Sequence, residues 1–404
     1  MSNDYPSIDL PAANPGLWAL SPDIIYLNHG AFGACPKPVL EAQNEWRMRL
    51  EKSPMQFLVR ELETQLDTAR AAMAQFAGAP VEDVVFVANA TSGVNTVLRS
   101  LKFSPGDELI VTNQEYNASR NALDFVAERS GARVVVVNIP FPFSRADELI
   151  TPILEAVTKR TRLVLIDHVT SQTGIILPIV KLVKELNNRG VDTLVDGAHA
   201  PGMVPLKLQE LGAAYYMGNC HKWLCAPKSV ALLYVRPDKR EEIRPLTISH
   251  GANSRRKDRS RFLIEFCWQG TSDFSAALSV PEAIRFMDAA LPGGWPAVMA
   301  RNRELALAAR KLLCETLKVN EPCPAEFIGS LACVPLPAAP PEPLPPWPLD
   351  EYPLQHALRT KHHIEVPLMP WPVHPQRLLR ISAQLYNSLP QYKILANALT
   401  AELG

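Results

Sequence analysis

Between about residues 84 and 235 the chain alternates short apolar runs with amphipathic helical segments, and this rhythm restricts its fold more than any other feature. The runs are Val84–Val87, Glu108–Val111, Arg133–Val137, Leu163–Asp167, Thr193–Val195, Ala214–Met217 and Ala231–Val235. Between them lie helical patterns, among them Thr91–Leu101, Ser119–Arg129, Glu148–Thr158 and Ile179–Arg189. Strands that are apolar on both sides need cover on both faces, and regular alternation with helices supplies it. The expected class is α/β: a mostly parallel seven-stranded sheet with helices on both faces, plus a smaller α+β domain.

In such sheets ligands bind beyond the carboxyl ends of the strands. Five polar clusters follow strand ends: Asn89–Gly93, Gln114–Asn117, Asp167–Gly174, Asp196–His199 and Asn219–Lys222. They are expected along one edge, as an active site. The rest of the chain reads as a second unit. Ser272–Leu317 has the pattern of two long helices broken near Leu291-Pro292-Gly293-Gly294. Pro335–Pro348 is proline-rich and reads as extended loop, since proline lacks an N–H and fixes φ. Strands near Phe327–Val334, Ile364–Leu368 and Arg377–Ser382 and a helix near Gln391–Leu403 complete it. The domain boundaries expected are 1–35 for an N-terminal arm, 36–290 for a large domain and 291–404 for a small one.

Composition narrows the function. Lys+Arg and Asp+Glu are equal at 41 each, which argues against nucleic acid or a charged membrane surface as a partner. No run is long and apolar enough to span a bilayer, and Met1–Tyr5 lacks the basic and apolar regions of a signal peptide. The seven cysteines form no C-x-x-C pair. Reduced thiols in a cytoplasm are the expectation. There is no P-loop, no G-x-G-x-x-G after a strand and no H-E-x-x-H, so a nucleotide or metal enzyme is disfavoured, and no metal is expected.

Two clusters suit pyridoxal 5'-phosphate. Asp196 ends one apolar run, in Val195-Asp196-Gly197-Ala198-His199, and Lys222 follows the next, in Asn219-Cys220-His221-Lys222-Trp223. A lysine amine can hold the cofactor aldehyde, and a carboxylate can pair with the ring nitrogen and keep the ring an electron sink. Ala90-Thr91-Ser92 opens a helix after a strand, where free N–H groups and hydroxyls suit a phosphate or, equally well locally, an ordinary helix cap. Tyr116 is placed to stack on the ring. His199 and Ser171 are candidates beside its phenolic oxygen, and Asn219 and His221 flank the lysine. Gly270-Thr271 reads as a second phosphate contact, reaching a neighbouring subunit. Arg380, a charge within an apolar strand, suits a substrate carboxylate or a salt bridge. Five basic residues between Arg255 and Arg261 read as a solvated loop near the entrance.

On these residues the chain resembles the class V aminotransferase family of fold-type I pyridoxal-phosphate enzymes. Within it, Leu27–Gly33, Glu115–Ala118 and Gly218–Trp223 look most like the isopenicillin-N-epimerase-like branch. The resemblance implies a homodimer with sites at the subunit interface and a small amino-acid-type substrate. It implies Lys222 as general base, Asp196 at the ring nitrogen and Arg380 on the α-carboxylate, with Tyr116 the candidate second acid. Cysteine desulfurases of the family carry a reactive cysteine on the loop before that arginine. Here His362–Leu368 has none, so persulfide relay is not expected. Epimerase or aminotransferase chemistry is the first expectation, and β-elimination by a C–S lyase the second. A non-catalytic binding module is the reading from another class, and it has no need of Lys222 and Asp196.

Overall fold

The computed structural model describes residues 13, 15–340 and 351–404. The N-terminal Met1–Tyr5 and residues 341–348 of the proline-rich stretch lie outside the described residues. The chain divides into two compact units, Cys35–Ser171 with Ile176–Met287, and Asp288–Gly404 with Gln172–Ile175 and the described part of Met1–Ala34.

The first unit is built on seven strands: β1 (Val84–Val87), β2 (Glu108–Thr112), β3 (Arg133–Val137), β4 (Thr161–Asp167), β5 (Asp192–Asp196), β6 (Tyr215–Asn219) and β7 (Ala231–Val235). Their order across the sheet is β1-β7-β6-β5-β4-β2-β3. All neighbours are parallel except at β7, which runs opposite to both β6 and β1. Two reversals cancel, so β1 points the same way as β2 to β6. The carboxyl ends of all six therefore lie along one edge, with every polar cluster noted above.

The pattern that marks these strands, apart from the half-exposed edge strand β3, is burial on both faces. Leu109, Val111, Leu163, Leu165, Leu194, Met217 and Leu233 share a core with Val94, Val97 and Leu98 of helix Ala90–Ser100, with Leu123 of Asn117–Ser130 and with Phe262 of Arg261–Cys267. The alternate residues Val164, Ile166, Val195 and Tyr216 are equally buried on the other side. Helix Ile179–Asn188 turns Leu182, Val183 and Leu186 inward and packs beside β5. Each fully buried Val or Leu adds roughly 1.5–3 kcal/mol, so the strand assignments are strongly determined.

Two helices that the alternation did not announce, Lys37–Lys52 and Leu62–Ala77, also belong to this unit. The loop with five basic residues is tied down. Arg256 forks onto Glu63, and Arg259 reaches Asp67, which also pairs with Arg70.

Of the two long helices expected in Ser272–Leu317, the second is Gly294–Leu317, after the expected break at Gly293 and Gly294, both at positive φ; the first is two short helices, Ser275–Leu278 and Val280–Ala289. The strand expected at Ile364–Leu368 is two pieces. Ile364–Glu365 pairs with Ile25–Tyr26, and Leu368–Pro370 pairs with Arg377–Ser382. Pro367 has no N–H to continue a ladder, and the chain changes sheets there. Leu331–Leu336 starts later than Phe327 because Ala325–Phe327 forms a 3-10 turn.

Candidate active site

Three side chains meet at the ends of β5 and β6. Lys222 Nζ is 3.1 Å from His199 Nε2, and the Trp223 indole N–H donates to His199 Nδ1 at 3.3 Å. Indole nitrogen is a donor only. Nδ1 is thus an acceptor, and the neutral ring carries its proton on Nε2, facing the lysine. Trp223 is fully buried and His199 nearly so. The backbone makes this approach possible at two glycines. A Cβ on Gly202, at φ +86, would sit 2.4 Å from the Trp223 carbonyl, and one on Gly197 would sit 2.3 Å from the Tyr216 ring and hydroxyl.

Asp196 is 2 % exposed. Ser119 Oγ donates to its Oδ2 at 2.7 Å, and the Ala198 N–H donates to Oδ1 at 3.0 Å. Burial raises its pKa above the ordinary carboxyl range, and Ser119, the Ala198 N–H and Lys222 pull the other way. Beside it lie two more buried acids, Glu115 and Asp167. Burial, then neighbouring carboxylates, push both well above the ordinary range. His168 Nδ1 lies 2.8 Å from the Tyr216 hydroxyl, and burial holds its pKa down at about 4.

The turn Asn89–Gly93 is both a cap and an anion site in outline. Asn89 Oδ1 caps the Ser92 N–H, and Asn219 Oδ1 accepts from the Ala90 N–H, both at 2.8 Å. The second bond crosses from the end of β6 to the end of β1. A helix start has N–H groups with no intrahelical partner. With those of Ala90 and Ser92 engaged, the Thr91 N–H and hydroxyl are the donors of this turn suited to an incoming phosphate.

His221 Nδ1 donates to the Val230 carbonyl at 3.3 Å. Burial, then the Lys222 charge, lowers its pKa to about 4, so it is neutral at physiological pH. Tyr116 precedes helix Asn117–Ser130 and keeps 43 % of its surface exposed. Ser171 is half-buried on the loop after β4, and Thr271 is exposed. Gly270 and Thr271 line a cavity of about 450 Å³ together with Ser92, Asp67, Arg70 and Arg259. In the other unit Arg380 lies in the middle strand of a three-stranded sheet, opposite Cys333. It is 5 % exposed. Cys333 Sγ donates to the Gln172 carbonyl at 3.0 Å, and burial pushes this thiol up to about 12, which removes it as a nucleophile at neutral pH.

Sequence reading passed over Ser119, which lies one helical turn past Tyr116, and the partnership of Trp223 with His199. It placed Glu115 and Asp167 at the right edge without a role. A signal for Asp167 existed, since an acid closing a fully apolar strand is seldom solvated.

A buried acid with two donors, a lysine against a buried histidine and a helix start with donors to spare lie on one sheet edge, an arrangement suited to pyridoxal phosphate. Residues 25–393 match the family described as aminotransferase class-V, and the chain belongs to it. It is 35% identical over 395 residues to the isopenicillin N epimerase of Amycolatopsis lactamdurans, covering 94% of this chain and 96% of that protein. It is 32% identical over 399 residues to a probable chloroplastic L-cysteine desulfhydrase of Arabidopsis thaliana, covering 94% and 82%. Among solved structures, a cystine C–S lyase in complex with cysteine persulfide matches with TM-score 0.76 at 21% identity, covering 95% of this chain and 98% of that one. The protein is a pyridoxal 5'-phosphate-dependent enzyme. No helix among the described residues is long and apolar enough to cross a membrane.

Proposed function

We propose that the protein removes the α-proton of an amino-acid substrate and expels a sulfur substituent from the β-carbon, as a C–S lyase. The observation that carries this reading is the Lys222–His199–Trp223 cluster, which holds one candidate base against a buried histidine engaged by an indole N–H. Pyridoxal phosphate, when bound, supplies the electron sink that makes the α-proton acidic. Lys222 would hold its aldehyde and Asp196 would pair with its ring nitrogen, while Thr91, Asn219 and His221 would hold its phosphate end. Tyr116 would stack on the ring and Ser171 would lie beside its phenolic oxygen. Arg380 would bind the substrate carboxylate through its planar fork. Lys222 is the group that would take the α-proton at Nζ.

β-Elimination needs that base alone. With cysteine the balance is cysteine plus water giving hydrogen sulfide, pyruvate and ammonia. Epimerisation is the second reading, favoured by Tyr116 at the adjacent strand end. It needs a second acid held on the opposite face, and Tyr116 keeps 43 % of its surface exposed. Buried Cys333 and the absence of cysteine from His362–Leu368 disfavour persulfide relay. The test is incubation with L-cysteine, and with L-amino acids lacking a β-substituent, in heavy water. Release of sulfide and pyruvate supports the lyase. Inverted, deuterated amino acid without sulfide release overturns it in favour of the epimerase. We further infer a cytoplasmic homodimer in which the exposed Thr271 reaches the partner's phosphate site. Sedimentation velocity with and without cofactor tests the assembly.

A further inference from the structure

Three buried carboxyl groups line the carboxyl ends of three neighbouring strands, and the proposed chemistry uses one. Asp167 and Asp196 are register partners on β4 and β5. Partners in a parallel pair point to the same face about 4.8 Å apart. Glu115 follows β2, on the other side of β4. None of the three exceeds 6 % exposure.

Their hydrogen bonds are unequal. Asp196 receives the Ser119 hydroxyl and the Ala198 N–H. Glu115 Oε1 receives the Tyr116 N–H at 3.2 Å, while Glu115 Oε2 and Asp167 Oδ2 are buried without a partner among the described residues. Carboxylates in adjacent positions of a dry site cannot all ionise. The charge settles where donors stabilise it, on Asp196.

We propose that Asp167, with Glu115 beside it, is a positioning residue for Asp196: it retains its proton and leaves Asp196 the single carboxylate of the row. The surrounding groups agree. The Lys222 charge acts on both Asp167 and Asp196. Once taken up by the cofactor, its amine would support no second carboxylate. Tyr216 on β6, on the other face of the sheet, is kept un-ionised by burial, and its hydroxyl is engaged by His168. Burial, then the neighbouring acids, acts on Asp167 and Glu115 in the same direction. The consequence is a fixed charge at the ring nitrogen, insensitive to pH across the neutral range. The inference rests on reading Asp196 as the partner of that nitrogen.

Infrared difference spectroscopy of the holoenzyme tests it at neutral pH in water and heavy water. A protonated carboxyl has a carbonyl stretch that shifts on deuteration. Asp167→Asn should lose one such band, and Glu115→Gln should lose another while keeping that of Asp167. A pH titration of cofactor absorbance adds a second readout. Asparagine replaces a neutral acid by a neutral amide, so the midpoint in Asp167→Asn should stay within about 0.3 units of the wild type. Were Asp167 ionised, removing its charge would lower the midpoint by about one unit or more, and no band would be lost. Either result overturns the proposal. If Asp167→Asn does not fold, the Glu115→Gln spectrum decides: a remaining protonated band supports Asp167, and none overturns it. Asp196→Asn is the separate control. An unshifted midpoint there removes Asp196 from the ring nitrogen while leaving the Asp167 band to be judged by itself.

Discussion

Ser119→Ala isolates the contact that holds Asp196. The hydroxyl is fully buried and donates to Oδ2 at 2.7 Å, and Asp196 is 2 % exposed. Solvent therefore cannot replace the lost donor, and alanine adds no clash. A hydrogen bond to a charged group contributes about 1.5–3 kcal/mol. That is roughly a 10- to 150-fold change in an equilibrium constant. The loss should appear wherever Asp196 is ionised in the folded state. The sign follows from linkage. Burial already raises this carboxyl above its unfolded value, so its contribution to stability falls as pH rises from the unfolded pKa toward the folded one. Removing Ser119 raises the folded pKa further. The stability gap between variant and wild type should be small below the unfolded pKa of about 3.9, where the acid is protonated in the folded and unfolded chain alike, and should widen toward neutral pH. Urea unfolding of the apoprotein across pH measures this gap, and absorbance titration measures cofactor affinity, which should weaken in step. A gap that stays the same at acid and neutral pH would show that the Ser119–Asp196 bond does not stabilise a carboxylate, and the account of the charge at the ring nitrogen would fall with it.

Other substitutions probe the rest of the site. Lys222→Ala should leave a folded protein with no turnover and no cofactor retained after borohydride reduction; a reduced adduct found by mass spectrometry on another lysine would remove its role. Trp223→Phe deletes the donor that sets the His199 tautomer and should lower kcat more than KM; an unchanged kcat would mean that the tautomer is set elsewhere. Gly197→Ala places a Cβ 2.3 Å from the Tyr216 ring and should cost about 1–3 kcal/mol or more, read as a lowered Tm. Arg380→Lys keeps the charge and loses the fork, so KM should rise for substrates with an α-carboxylate. Equal kinetics would make Arg380 structural.

Much of this was legible before any coordinates. Strands buried on both faces must be apolar throughout, so Val84–Val87 and Ala231–Val235 stand out from the polar turns around them, and they form the strands expected. The polar residues that close such runs must lie at strand ends, which is why Asp196, Asn219 and Lys222 could be named as neighbours on one edge. The motif at Lys222 is local, and its family character survives in a few consecutive residues. Two strands differ from the expectation, and both involve proline: Ile364–Leu368 breaks at Pro367, and the strand expected at Phe327–Val334 runs as Leu331–Leu336, through Pro335 of the expected loop.

Tertiary structure alone decided what those neighbours touch. Ser119 and Asp196 come from a helix and a strand far apart in the chain, and Asn219 reaches across β7 to cap Ala90. That Ala231–Val235 runs against both neighbours, and so keeps Val84–Val87 aligned with the other strand ends, is set by sheet order, on which local periodicity is silent. The row of Glu115, Asp167 and Asp196 exists only through register. A slip of one residue between β4 and β5 would turn one acid to the opposite face of the sheet. Residue type says that a carboxyl can ionise; which of three carboxyls does so depends on who stands beside it and which donors reach it, and those distances exist only in the folded chain.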